Sequence, residues 1–407
     1  MANKHASLDA LFADIADAIR EKTGDAGTIP AVEFPNKIRD NLEIAPLYLT
    51  FSSPSSFTLA VNDATKHWDG TLEYSMDTST WSTWDGTTAL SSATSGSDNV
   101  LYLRGIGNTV ITGKSNRYKW VLTGSNIACT GNIENLLDYE TVESGAHPTM
   151  AAYCYYYMFD GCTGLIQAPA LPATTMNGHC YSRMFYSCTS LTQAPALPAT
   201  TLAAYCYEYM FRGCTSLTQA PALPATTVAA YCYYGMFYGC TSLTQAPALP
   251  ATTMINYCYS NMFDGCTGLT QAPALPATTL DTCCYRWMFN GCTSLAQAPA
   301  LPATTVAESC YKYMFQGCIS LTQAPALPAA SLKRECYSNM FDGCTSLKLS
   351  STQTGEYTQE YRIPSSGTGT TATNALVEMF TGTGGTFTGS PAINTTYYLS
   401  NTNTVVS

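Results

Sequence analysis

Thiols are the residues best equipped for chemistry in this chain, and most of them are periodic. Cys154, Cys180, Cys206, Cys232, Cys258, Cys284, Cys310 and Cys336 step by 26 residues, and a second series from Cys162 through Cys188, Cys214, Cys240, Cys266, Cys292 and Cys318 to Cys344 runs eight residues behind. Only Cys129 and the first member of the vicinal Cys283-Cys284 pair stand outside the pattern. The spacing lacks Cys-x-x-Cys, and His5, His67, His147 and His179 never recur at one place in the period, so neither a zinc set nor a nucleophile–base pair assembles. On one helix, cysteines at i and i+8 would lie about 12 Å apart, too far for a disulfide within a unit. The expectation is buried free thiols acting as small apolar residues, with redox chemistry at Cys283-Cys284 as the alternative. Gly105-x-Gly107 and the stretch 382–385 lack the lysine, serine and strand–helix context of a phosphate loop. No metal, no cofactor and no enzymatic activity are expected.

The other chemically capable set is what varies from period to period. After each Cys-Tyr the chain reads Tyr156-Tyr157, Ser182-Arg183, Glu208-Tyr209, Tyr234-Gly235, Ser260-Asn261, Arg286-Trp287, Lys312-Tyr313 and Ser338-Asn339. After each Met-Phe it reads Asp160, Tyr186, Arg212, Tyr238, Asp264, Asn290, Gln316 and Asp342. Tyrosine offers large rigid contact area with a polar tip at small entropic cost, and this palette is that of an adaptable recognition surface. Candidate ligand-binding residues are therefore Tyr156, Tyr157, Arg183, Tyr186, Tyr209, Arg212, Tyr234, Tyr238, Arg286, Trp287 and Tyr313. Drift on a solvated face is the plainer alternative, although drift would more often yield Lys and Glu than Tyr.

A fixed period of this size means a solenoid or an array. One unit runs Tyr205-Cys206-Tyr207-Glu208-Tyr209-Met210-Phe211-Arg212-Gly213-Cys214-Thr215-Ser216-Leu217, then Thr218-Gln219-Ala220-Pro221-Ala222-Leu223-Pro224-Ala225-Thr226-Thr227. Cys206, Met210 and Cys214 fall at i, i+4, i+8 beside Tyr207 and Phe211, which predicts an inward-facing helical stripe stopped by Gly213. The variable positions would then face outward. Seven copies of Gln-Ala-Pro-Ala-Leu-Pro hold 14 of the 21 prolines. Proline cannot donate to a ladder, so each unit has room for only a short parallel strand near 217–220. Eight 26-residue units, each a short strand plus a helical turn, predict a leucine-rich-repeat-like solenoid over 151–347. The run Met-Phe-x-Gly-Cys-x-Ser-Leu followed by Leu-Pro-Ala-Thr-Thr resembles the BspA-like leucine-rich repeats of bacterial surface and phage proteins. Its units are about three residues longer and carry a second cysteine.

Unlike segments flank the array. Residues 127–150, with Ile133, Leu136 and Leu137, read as an N-terminal cap. Residues 348–407 read as a C-terminal cap, in which Met379-Phe380 begins a degenerate ninth unit with Thr383 in place of cysteine. Between 46 and 126, apolar runs such as Leu47-Tyr48-Leu49-Thr50-Phe51 alternate with Asp-Gly turns, which predicts a small β-sandwich resembling immunoglobulin-like modules. Trp68, Trp81 and Trp84 there are either core or a carbohydrate platform. Residues 1–45 hold 13 of the 46 charged residues and one helical face of Leu8, Leu11, Phe12, Ile15 and Ile19. Thr28-Ile29-Pro30 and Phe34-Pro35-x-Lys37-Ile38-Arg39 follow, and the segment is similar to an N-terminal module of structural proteins of phages of Gram-positive hosts. A generic amphipathic hairpin is the alternative.

Composition then closes several classes. A net charge of −10 with no run of Lys or Arg leaves no phosphate-tracking surface for nucleic acid. No stretch approaches 18 uninterrupted apolar residues, so membrane insertion is not expected, and residues 1–20 do not read as a signal peptide. The function expected is a non-enzymatic phage virion protein of the tail or receptor-binding type. Its repeats would recognise a host cell-surface protein or glycan, and its N-terminal segment would meet other virion proteins, with homo-oligomerisation open. The alternatives are a bacterial surface adhesin and a structural filament or decoration protein.

Overall fold

A computed structural model describes residues 46–113, 118–367 and 369–407 of the chain. The N-terminal helical segment expected over 1–45 lies outside these residues. Residues 48–407 form one compact unit with one continuous hydrophobic core.

Its N-terminal part is a two-sheet β-sandwich. Strands β1 (Leu49–Ser53), β2 (Thr58–Val61), β3 (Thr71–Ser75), β4 (Ser82–Trp84), β5 (Leu90–Ser91), β6 (Ala93–Ser95), β7 (Asp98–Ile106), β8 (Trp120–Thr123) and β9 (Ile127–Thr130) follow in order. One sheet runs β9-β1-β7-β3-β4 with β6 also on β7, and the other runs β5-β2-β8. All these pairings are antiparallel, and the burial of β1 alternates as its sequence does, with Leu49 and Phe51 inward. Trp68, Trp84 and Trp120 meet between the sheets, ring centroids 5.1 and 5.9 Å apart along the series. The carbohydrate platform of Trp68, Trp81 and Trp84 therefore does not exist: the first and last are core. Trp81 is half-buried between Tyr48 and the Arg104 guanidinium, the latter 4.1 Å from its ring.

The sandwich runs into the repeats without a break. β9 also pairs in parallel with β10 (Leu165–Gln167), the first strand of the array. Phe159 of the array packs on Phe51 and Trp120, at 6.3 and 5.9 Å. Helix α1 (Asn135–Glu143), the only α-helix among the described residues, buries Leu136 and Leu137 completely.

The repeats depart from the expected helical turn. The N–H groups of Tyr205, Tyr207, Tyr209, Phe211 and Gly213 donate to the carbonyls of Ala230, Cys232, Tyr234, Met236 and Tyr238 one coil on, at 2.7–3.0 Å. The intervening N–H groups of Cys206, Glu208, Met210, Arg212 and Cys214 donate back to the residue three before. Left-handed backbone at Tyr205, Tyr209 and Gly213, with φ +62, +52 and +75°, turns the chain after each pair of turns. A helix would satisfy every N–H within itself; this ribbon of successive turns releases alternate ones along the solenoid axis. Each such bond stabilises by roughly 1 kcal/mol net, which offsets the strain of non-glycine residues held left-handed. The stripe expected to face inward still does: Cys206, Tyr207, Met210, Phe211 and Cys214 are buried.

Beneath the ribbon the side chains stack like on like. Phe159, Phe185, Phe211, Phe237, Phe263, Phe289, Phe315 and Phe341 lie 5.5–5.8 Å apart with planes within 7°. The Tyr of each Cys-Tyr pair forms a second ladder, from Tyr155 to Tyr337. The strands are shorter than expected: Gln167, Gln193, Gln219, Gln245, Gln271 and Gln297 pair with one another only through single parallel bridges. Each is followed within two residues by proline, which has no N–H to extend the ladder.

At the far end Phe380 stacks on Phe341 at 5.6 Å, and Thr383 Oγ1 donates to the Phe380 carbonyl at 2.7 Å. Strands β12 (Lys348–Ser350), β13 (Tyr357–Arg362), β14 (Gly384–Gly385) and β15 (Thr396–Ser400) then cover the core in the order β13-β15-β12-β14. β16 (Thr404–Val406) returns to pair in parallel with β11 (Gln323–Pro325).

Candidate functional site

Thiols and histidines are accounted for by packing. All eighteen thiols are buried and unpaired. The second series adds a role that an apolar filler would not have: Cys214 Sγ donates to the Phe185 carbonyl of the preceding coil, 3.1 Å, and the same carbonyl accepts the Cys188 N–H. The bond repeats from Cys188 to Cys344. Burial raises the Cys180 and Cys336 thiols to about 11 and those of Cys162, Cys206 and Cys258 to about 12. Cys283, beside Tyr257, is buried, though less completely than its neighbour Cys284. His67 stacks on Tyr118 and bonds to Asp63, His147 bonds to Glu134 at 2.8 Å, and His179 lies in a tyrosine ladder. His5 lies outside the described residues. Among the described residues no group of three or more His, Cys, Asp or Glu is placed to hold a metal, and no helix is long and apolar enough to cross a membrane.

The variable positions do converge, along one edge of the coils. The ribbon geometry corrects their expected exposure. Tyr156, Tyr157, Arg183, Tyr186, Tyr209, Arg212, Tyr234, Tyr238, Arg286, Trp287 and Tyr313 are all half-buried, and Ser182, Glu208, Ser260, Asn261, Asp264, Ser338 and Asn339 among them are buried. Side chains at these positions reach across to the next coil and touch one another instead of standing free.

Two clusters result. In the first, Arg183 donates to Tyr156 Oη and Glu208 Oε1, at 3.2 and 3.0 Å, and lies over the rings of Tyr157 and Tyr209. Burial works against the Arg183 charge, but Glu208, Tyr157 and Tyr156 keep its pKa above the ordinary value. Burial likewise pushes the Glu208 carboxyl up, with Arg183 and Ser182 pulling the other way. Arg212 sits among three rings, 5.3 Å from Tyr186, 5.0 Å from Tyr209 and 4.4 Å from Tyr238. Tyr209 meets Tyr234 edge to face at 5.0 Å. In the second cluster Arg286 lies 3.9 Å over Trp287, whose ring stacks on Tyr313 at 5.2 Å, and Lys312 is over Tyr313. Between the clusters Asp264 accepts from Asn261 and Asn290, and burial raises its carboxyl.

One part of this face was missed. Tyr153, His179, Tyr205, Tyr231 and Tyr257 form an outer ladder at 4.3–4.6 Å that backs the first cluster. Its signal was available as an aromatic residue immediately before the first cysteine in five successive units, after which Cys283, Ser309 and Glu335 end it.

Stacked parallel coils with buried leucines at fixed places, such as Leu217 and Leu223, closed by caps, define a leucine-rich-repeat solenoid. The family model of the BspA type leucine rich repeat region matches residues 142–272 and 284–361 in six copies, just over half of the chain, and the chain belongs to that family. No curated protein and no solved structure matches it.

Proposed function

We propose that this is a non-enzymatic recognition protein that binds a cell-surface protein or glycan through the aromatic and cationic edge of its repeats. The observation that carries the reading is the Tyr–Arg–Trp surface itself. Eleven half-buried side chains at the variable positions hold one another by cation–π and edge contacts, while the stretch after the leucine repeats Gln-Ala-Pro-Ala-Leu-Pro unchanged in seven coils. Rigid aromatics and arginine are the residues that dominate binding energy at protein surfaces. The setting we favour is a phage virion, with residues 1–45 attaching the protein to other virion components, because of the resemblance of that segment. In this reading the sandwich is an immunoglobulin-like spacer and the array has eight units. A bacterial surface adhesin is the second setting, favoured by membership of the BspA family.

The test is binding of the labelled full chain to a panel of Gram-positive cells, compared with Tyr209→Ser/Tyr234→Ser/Trp287→Ser. The triple variant is expected to bind at least roughly tenfold more weakly, about 1.4 kcal/mol, while still melting cooperatively. Unchanged binding by a folded triple variant overturns the assignment of the face. Immunogold labelling of purified particles against cell walls separates the two settings.

A further inference from the structure

Resting on that reading of the face, we propose that its ligand is an acidic oligosaccharide whose sugar carboxylates are taken by Arg212 and Arg286. Four cations stand at the variable positions. Arg183 is neutralised by Glu208 at 3.0 Å and Lys312 by Glu335 at 2.9 Å. Arg212 and Arg286 make no salt bridge and no side-chain hydrogen bond to any described residue, and Arg286 Nε is out of reach of solvent without a partner. Asp264 lies within electrostatic reach of Arg212, but its oxygens are taken by Asn261 and Asn290, so two guanidinium groups with no salt bridge remain in a chain of net charge −10, an arrangement an anionic ligand would complete.

The surroundings select the anion. A guanidinium is a planar fork that matches a carboxylate with two parallel hydrogen bonds. Around Arg212 stand Tyr186, Tyr209 and Tyr238, and beside Arg286 stands Trp287, so each charge is set among flat apolar faces with hydroxyl or indole tips. Sugar rings offer the complement, an apolar C–H face rimmed by hydroxyls. The two arginines belong to coils three apart, about 14 Å along the axis at the usual spacing of parallel chains. That separation requires a chain of sugars bearing more than one carboxylate.

Isothermal titration of the full chain with a galacturonate oligosaccharide tests this, against a neutral galactose oligosaccharide of equal length and inorganic polyphosphate. The expected result is binding of the galacturonate oligomer alone, weakened at least tenfold by Arg212→Gln and by Arg286→Gln. Arg212→Lys should recover only part of the loss, because it restores charge without the fork. Both Gln variants give up cation–π contacts but no salt bridge, so each should still melt cooperatively at a somewhat lower temperature; if one does not fold, the Lys variant and the competing oligomers still decide. Equal binding of the neutral oligomer, preference for polyphosphate, or indifference to both Gln variants overturns the proposal. If no saccharide binds but the Tyr209/Tyr234/Trp287 variant still loses cell binding, the acidic-sugar ligand is wrong and the recognition face stands. If that variant also binds cells normally, both are wrong.

Discussion

Two glycines in the same coil, both left-handed, isolate what the tyrosine cluster contributes. Gly235 has φ +57° and Gly239 φ +71°. At Gly239 an added methyl meets nothing within 4 Å, so Gly239→Ala carries only the backbone term. An L-residue in left-handed backbone costs about 1–2 kcal/mol, and the stiffer unfolded chain returns about 0.4–1, leaving roughly 1 kcal/mol of destabilisation. At Gly235 the backbone term is the same, but the methyl would overlap Cε1 and Cδ1 of Tyr209. That ring has to leave its place between Arg183, Arg212 and Tyr234. Loss of one edge-to-face pair and two partly exposed cation–π contacts adds about 1.5–3 kcal/mol. Gly235→Ala should therefore destabilise by about 2.5–4 kcal/mol in urea unfolding and lower cell binding at least tenfold. Gly239→Ala should cost about 1 kcal/mol and leave binding intact. Equal losses of stability and equal binding in the two variants would falsify the claim that Tyr209 organises this face.

Phe237→Ala removes a ring stacked between Phe211 and Phe263, at 5.8 and 5.7 Å, and should destabilise by about 3–5 kcal/mol with a cavity in mid-solenoid, read by chemical denaturation. The thiols set the alkaline limit. Unfolded cysteine titrates near 9, whereas Cys180 and Cys336 are raised to about 11 and Cys162, Cys206 and Cys258 to about 12. Above pH 9 the unfolded chain sheds these protons first, so stability present below pH 9 should fall progressively towards pH 11–12; a flat melting temperature over that range contradicts the burial assigned to them. In the same vein, iodoacetamide at pH 8 should leave the native thiols unmodified and reach them only after denaturation, with extensive native alkylation as the refuting result.

Much of the solenoid was legible in the chain because repetition is a linear property. The 26-residue spacing of Cys206, Met210, Phe211 and Cys214 identifies a core position regardless of the local conformation that brings it inward, and Leu217 and Leu223 follow the same rule. Conformation was another matter. Period-four spacing is common to a helix and to a ribbon of turns with a left-handed residue every fourth place, and the choice between them is made by partners one coil away. When the Cys232, Tyr234 and Met236 carbonyls stand within 3 Å of the Tyr207, Tyr209 and Phe211 N–H groups, the inter-coil bonds replace helical ones. The two halves of such a bond lie 25 residues apart, far outside the few residues over which helical or strand periodicity is read.

The site divides along the same line. Which positions vary, and that they carry Tyr, Arg and Trp, is written in the chain. That Arg183 is consumed by Glu208 while Arg212 and Arg286 are not depends on cross-coil distances, because Glu208 stands in the coil after Arg183 and no acid occupies the corresponding place for the other two. The fate of the tryptophans depends on sheet pairing: β1 beside β7 and β9, facing β8, encloses Trp84 and Trp120 but leaves Trp81 at the rim. Sequence determined the repeat, its buried stripe and the palette of its variable edge, since these rest on residue type and spacing. Tertiary structure decided the backbone between them and which charges remain free, since both arise from contacts across coils and sheets that neighbours in the chain do not encode.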